Sequence, residues 1–259
     1  MIGVFDSGIG GLTTVKSILD RIPHADILYF GDTARTPYGS KSSETIRNYA
    51  VENVNFLLDK GAKLIIMACN SASSAATEVL KEKFDVPIFE VITPAVELAT
   101  KTTKNFGVGL IGTRATVLSG VYEKKLKEIS TDIRVYSNPA PLLVPLIEEG
   151  WLNSRETNMI VKKYLLPLKQ KQIDTLILGC THYPILKETI KRKMGKNVRI
   201  IDSSTAIADS VENFLKSRDD RDILTGKDAR RDIYVSDITS RFGELAVNIL
   251  KQKIILKHI

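Results

Sequence analysis

The sequence predicts an α/β fold of two pseudo-symmetric halves, each with a parallel-rich sheet, and a functional site in the cleft between them. Three observations carry this expectation. Short β-branched runs alternate with longer amphipathic segments along the 259 residues, and continuous apolar strands separated by helices indicate parallel sheets covered on both faces. Landmarks of the first part recur in the same order about 110 residues later, which signals internal repetition. Both cysteines fall at equivalent points of that repeat.

In order, the predicted strands are Ile2–Phe5, Asp26–Phe30, Leu64–Ala68, Ile88–Val91, Phe106–Ile111, Ile133–Tyr136, Thr175–Leu178, Val198–Ile201 and Ile233–Val235. Helices lie between them. In one, Ile46, Ala50, Val54, Leu57 and Leu58 repeat at helical spacing and form an apolar face. Asn70 and Ser71, after Cys69, are good N-cap residues, and Pro184, after Cys180, suits a first helical turn. The repeat pairs Ile2–Val15 with Phe106–Gly120, Asp26 with Asp132, Leu64–Asn70 with Thr175–Thr181, and Phe89–Thr93 with Ile201–Thr205. The first half then covers 1–93 and the second 94–206, with 207–259 returning to complete the first.

Composition excludes several classes. With 43% hydrophobic and 26% charged residues, the chain is neither a disordered tail, a collagen-like chain nor a coiled coil. Two cysteines do not make a disulfide-rich secreted scaffold. The aliphatic stretch Leu64–Cys69 falls far short of a membrane span of about 20 residues. The opening MIGVFDSGIGG lacks the basic and apolar regions of a signal peptide. A cytoplasmic protein with no membrane partner is expected. The net charge of +7 suits an anionic substrate. The densest basic stretch, Lys187, Lys191, Arg192, Lys193, Lys196 and Arg199, has no aromatic residue to stack on a base. It falls where a helix ends, and cations there complement the helix dipole. No nucleic-acid partner is expected.

Each cysteine ends a buried strand just before a helix, and parallel α/β sheets bind ligands beyond the carboxyl ends of their strands. A thiol at a helix N-terminus is expected to have its pKa lowered from about 8.5. A disulfide does not suit a reducing compartment. Zinc needs about four ligands, and only His182 accompanies Cys180 at close spacing, so no metal is expected. A hydrolase using Cys180 and His182 leaves Cys69 idle. An acid and a base on opposite faces of one carbon suit racemisation. Two inert core cysteines have the same spacing, so spacing alone leaves these readings open.

The loops at strand ends add polar groups. Asp6-Ser7-Gly8-Ile9-Gly10-Gly11 opens a helix, and its glycines let backbone N–H groups approach an anion. It is not the dinucleotide pattern. Gly31–Gly39 is a polar loop able to supply hydroxyl and backbone contacts, or an ordinary turn rich in Gly and Pro. Glu148 and Glu149 end the apolar run Leu142–Ile147, and such a pair is more often a solvated face than a catalytic group. Trp151 is expected to pack.

Together, DSGIGGLT (Asp6–Thr13), GDTARTPYG (Gly31–Gly39), ACNSASS (Ala68–Ser74), VPLIEEG (Val144–Gly150) and LGCTHYP (Leu178–Pro184) resemble the glutamate racemases of the cofactor-independent aspartate/glutamate racemase group. The resemblance runs over almost the whole chain. It implies interconversion of L- and D-glutamate without cofactor or metal, supplying D-glutamate for peptidoglycan, by a protein that is commonly a homodimer. It implies that Cys69 acts on the D-enantiomer and Cys180 on the L-enantiomer. Asp6, Asp32, Glu148 and His182 match residues assisting proton transfer or holding the ammonium group. Asp6, Ser7, Pro37, Tyr38, Gly39, Asn70, Ser71, Thr181 and His182 match substrate-binding positions. Ser71 stands where Thr is commoner and keeps the hydroxyl, and Thr14 stands where an aliphatic residue is usual. Aspartate racemase is the neighbouring alternative.

Overall fold

The computed structural model describes residues 1–217, 229–252 and 254–259. The chain is α/β, and its strands form two parallel sheets. The first sheet is built from β1 (Ile2–Asp6), β2 (Ile27–Gly31), β3 (Leu64–Met67) and β4 (Ile88–Glu90). Helices α1 (Leu12–Arg21), α2 (Ser43–Asp59) and α3 (Asn70–Lys83) connect them, and α4 (Ile92–Thr102) leads onward. The second sheet contains β5 (Gly107–Gly112), β6 (Arg134–Pro139), β7 (Thr175–Gly179) and β8 (Arg199–Asp202). Around it lie α5 (Arg114–Leu118), α6 (Val121–Ile129), α7 (Leu143–Glu148), α8 (Arg155–Gln170) and α9 (Lys187–Met194). The chain continues through α10 (Ser203–Lys216), β9 (Arg231–Val235), α11 (Ser240–Leu250) and β10 (Leu256–His258).

The strand orders are β10-β9-β2-β1-β3-β4 and β6-β5-β7-β8. Within them, β2-β1-β3-β4 and β6-β5-β7-β8 follow the same plan, so the sequence repeat is also a repeat of topology. Register is direct: Ile2 pairs with Leu64 and Phe5 with Met67 in one sheet, Val108 with Thr175 and Gly112 with Gly179 in the other.

Period-2 alternation divides each strand between two faces. Ile2, Val4, Leu64 and Ile66 pack with α1, α10 and α11, whereas Phe5, Ile65 and Met67 pack with α2 and α3. In the second sheet Leu176 and Leu178 face the side of α7, α8 and α9, while Ile177 faces α4 and α6. Both faces are covered, so β1, β2, β3, β5 and β7 are buried along their whole length. The chain thus reaches the second sheet through α4 and returns through α10, which buries Ile207, Ala208 and Val211 in the core shared with α1.

Local signals explain the helices. Ser42 accepts a hydrogen bond from the Thr45 N–H and caps α2, whose Ile46, Ala50, Val54 and Leu57 are buried. Lys191, Arg192 and Lys193 occupy the last turn of α9, as the dipole argument expects, while Lys187 starts that helix 3.5 Å from Asp202. Two expectations are corrected, and one strand is added. The N-cap of α3 is Cys69 itself, with Asn70 already helical. Trp151 is 51% exposed and does not pack into the core, because it follows the end of α7 at a surface turn. The edge strand β10 went unpredicted: it is three residues long, too short to carry a periodic signal, and pairs with β9. Among the described residues no helix is long and apolar enough to cross a membrane.

Candidate active site

Because β3 and β7 occupy matching central positions, the residues that follow them, Cys69 and Cys180, reach the carboxyl-end side of each sheet. Both line one small, tight cavity of about 20 Å³. Ser7, Pro37, Tyr38 and Gly39 line it from loops of the first sheet, Asn70 and Ser71 from the start of α3, and Thr181 and His182 from the second sheet. Thr113 and Val144 complete it; sequence reasoning missed both. For Thr113 a signal existed: it follows β5 as Ser7 follows β1 in the repeat. Val144 opens the VPLIEEG motif, but there it reads as one of several apolar residues at a helix start. A larger, open cleft of about 520 Å³ lies beside Gly8, Thr36, Glu148 and Arg241, and neither thiol lines it.

The two thiols have different surroundings. Cys69 is 5% exposed, and its Sγ lies 3.8 Å from the Ser7 hydroxyl. Burial, reinforced by the nearby Asp6 carboxylate, pushes its pKa up to about 12. This reverses the lowering expected at a helix N-terminus, since desolvation outweighs the backbone N–H of Ala72. Cys180, also 5% exposed, sits 3.8 Å from His182 Nδ1, and His182 Nε2 lies 3.0 Å from Glu148 Oε1. Burial alone lowers the His182 pKa. The hydrogen bonds with Cys180 and Glu148 overcome that and hold it well above the ordinary value, favouring imidazolium.

Asp6, Asp32 and Glu148 do not line the cavity. Asp6 is fully buried; its Oδ2 accepts from the N–H groups of Gly8 (3.1 Å) and Gly11 (3.0 Å), and its Oδ1 accepts from Thr181 (3.2 Å). Two N–H groups of the glycine loop therefore turn inward to Asp6 and are not free for a ligand. Burial pushes the Asp6 carboxyl above its usual range, against the His182 charge and those N–H groups. A side chain at Gly10 would put a Cβ 2.3 Å from Thr181 Oγ1 and 2.5 Å from His182 Nδ1, so glycine here permits the close approach of the two sheets' loops.

Asp32 is likewise fully buried and accepts from Arg35 Nε (2.7 Å), the Tyr38 hydroxyl and Ser236 Oγ (3.1 Å). Asn70 joins the sheets: its Oδ1 accepts from Tyr122 (2.7 Å) and its Nδ2 donates to Ser203 (3.3 Å). Ser71 shares a 2.9 Å hydrogen bond with Thr113. Among the described residues no cluster of three or more His, Cys, Asp or Glu side chains is arranged to hold a metal ion.

A family model described as Asp/Glu/hydantoin racemase matches residues 13–211. A glutamate racemase of Persephonella marina is 49% identical over 244 residues, which cover 94% of this chain and 91% of that protein. Among solved structures, a glutamate racemase isoform from Bacillus anthracis superposes with a TM-score of 0.94 at 36% identity, covering 100% of this chain and 97% of that one. The glutamate racemase of Francisella tularensis, solved in complex with D-glutamate, gives a TM-score of 0.91 at 39% identity, covering 100% and 96%.

Proposed function

This chain belongs to the Asp/Glu/hydantoin racemase family and is an isomerase, and we propose that it interconverts L- and D-glutamate by proton transfer between Cys69 and Cys180. The observation that carries this reading is the pair of thiols, from equivalent strand ends, facing one cavity. With L-glutamate bound, the Cys180 thiolate takes the α-proton while the Cys69 thiol gives its proton to the opposite face. The products are D-glutamate, a Cys180 thiol and a Cys69 thiolate. The reverse direction exchanges the roles.

The asymmetric surroundings support this division. Burial keeps Cys69 protonated at neutral pH, so the empty protein holds an acid there. Once formed, its desolvated thiolate is a strong base, which a weakly acidic α-proton requires. His182, held by Glu148, offers positive charge beside Cys180. Ser7, Asn70, Ser71 and Thr181 supply hydroxyl and amide groups for the substrate's polar ends, while Pro37, Tyr38 and Gly39 form the facing wall. Asp6, Asp32 and Glu148 act one layer behind, through Thr181, Tyr38 and His182. The same reading makes the chain a cytoplasmic homodimer supplying D-glutamate for peptidoglycan, on the strength of the family resemblance.

Proton NMR of L-glutamate in D₂O, with chelator and no added cofactor, tests the reaction. Loss of the α-proton signal together with optical rotation is expected. Cys69→Ala and Cys180→Ala should each lower the rate by at least about a thousandfold, the scale of losing an essential acid or base. Substantial racemisation by both single variants would sink the two-thiol scheme. Reaction of aspartate in place of glutamate would keep the chemistry and change the substrate.

A further inference from the structure

The loop that forms one cavity wall is held from outside by the segment following β9. Ser236 Oγ donates to Asp32 Oδ1 at 3.1 Å and accepts from the Ala34 N–H at 3.0 Å. The Ser236 N–H meets the Gly31 carbonyl at 3.1 Å. One residue on, the Asp237 N–H donates to Thr33 Oγ1 (2.7 Å), which donates to the Asp237 carbonyl (2.6 Å). Asp32 passes this restraint inward, because its other oxygen accepts from the Tyr38 hydroxyl and Arg35. Asn53 Nδ2 adds a 3.0 Å hydrogen bond to the same phenol oxygen, and Arg35 lies over the Tyr49 ring. Tyr38 is fully buried in the apolar cluster that contains Cys69, and both line the cavity.

We propose that Ser236, itself outside the cavity, is a positioning residue that holds Tyr38 against the Cys69 wall through Asp32. Without its hydroxyl, one oxygen of a buried carboxylate and the Ala34 N–H lose their side-chain partner, and the carboxylate is held through its other oxygen alone. Tyr38 then loses the fixed acceptor that sets its ring. The disturbance is confined to the Cys69 side, because Cys180 is held by His182 and Glu148 on the second sheet.

The test compares wild type, Ser236→Ala and Ser236→Thr by iodoacetamide labelling, with each cysteine followed separately by peptide mass spectrometry. Ser236→Ala is expected to speed Cys69 labelling several-fold and leave Cys180 unchanged; Ser236→Thr, which keeps the hydroxyl, should restore the wild-type rate. An unchanged Cys69 rate, or equal acceleration at both cysteines, overturns the proposal, the second being general loosening. If Ser236→Ala fails to fold, Thr33→Val breaks the neighbouring clamp and must also speed Cys69 labelling; no change there overturns the proposal equally. A kinetic arm rests on the racemase reading: KM for glutamate should rise about tenfold with kcat within about threefold, the pattern of lost binding. An inert wild type in that arm defeats the racemase reading alone, since labelling needs no turnover.

Discussion

Cys69 and Cys180 stand at the same point of two similar sheets, yet different side chains surround them. Cys69 faces burial and the Asp6 charge, and Cys180 faces an imidazole that Glu148 keeps charged. Iodoacetamide reacts with thiolate, so at neutral pH Cys180 of the ligand-free protein should be labelled well before Cys69. The Cys69 rate should go on rising as pH approaches about 12, its pKa. Equal rates, or saturation of Cys69 near pH 8, would contradict this account. The sequence marked both thiols and named a lowered pKa for each. It erred at Cys69 because a helix N-terminus is visible in a sequence, whereas desolvation depends on everything that surrounds the sulfur.

At the scale of elements, strands and helices were legible because apolar periodicity repeats along each of them, while their ends were set by single contacts. Asp174, just before β7, shows how such an end is fixed. Its carboxylate accepts from Thr103 Oγ1 (2.7 Å), the N–H groups of Lys104 (2.6 Å) and Asn105 (2.8 Å), and Thr175 Oγ1 (3.0 Å). One side chain thereby secures the turn entering β5 to the start of its neighbour. Burial raises the Asp174 pKa, but these hydrogen bonds outweigh it and leave the carboxyl below its ordinary value. A depressed carboxyl pKa stabilises the fold above the unfolded value near 3.9, and the benefit disappears as pH falls through the folded value. Asp174→Ala should therefore cost about 1–2 kcal/mol at pH 7, discounted for solvent access, with a smaller difference in acid. Urea unfolding at both pH values measures it, and a cost independent of pH would refute the assignment.

Across the whole molecule, hydroxyl groups join the two sheets' helices. Thr13 Oγ1 lies 2.9 Å from Ser204 Oγ, and Thr14, fully buried, donates to the same oxygen at 3.1 Å. The buried Thr14 hydroxyl thus has a partner on α10. Ser204→Ala should cost about 1–2 kcal/mol by stranding that buried hydroxyl, and Thr14→Val less than about 1 kcal/mol. In the double variant most of the loss should return, because both partners are then apolar. Urea unfolding of the four proteins reads this coupling directly, and simple additivity of the two losses would exclude it.

From the sequence alone came the α/β class, the repeat, nearly every strand and both thiols, together with the family resemblance that the comparisons bear out. These follow from local order: burial patterns have a period, and the motifs lie at strand ends. Only the tertiary structure decided which groups face the cavity and which stand behind it. Asp6, Asp32 and Glu148 read alike as carboxylates beside motifs, yet each turned out to hold another side chain, Thr181, Tyr38 or His182. Likewise Ser236 reaches Asp32 from 204 positions away. Such contacts, and the burial that sets the Cys69 pKa, depend on how the sheets and loops approach one another in space, and no local run of residues encodes that approach.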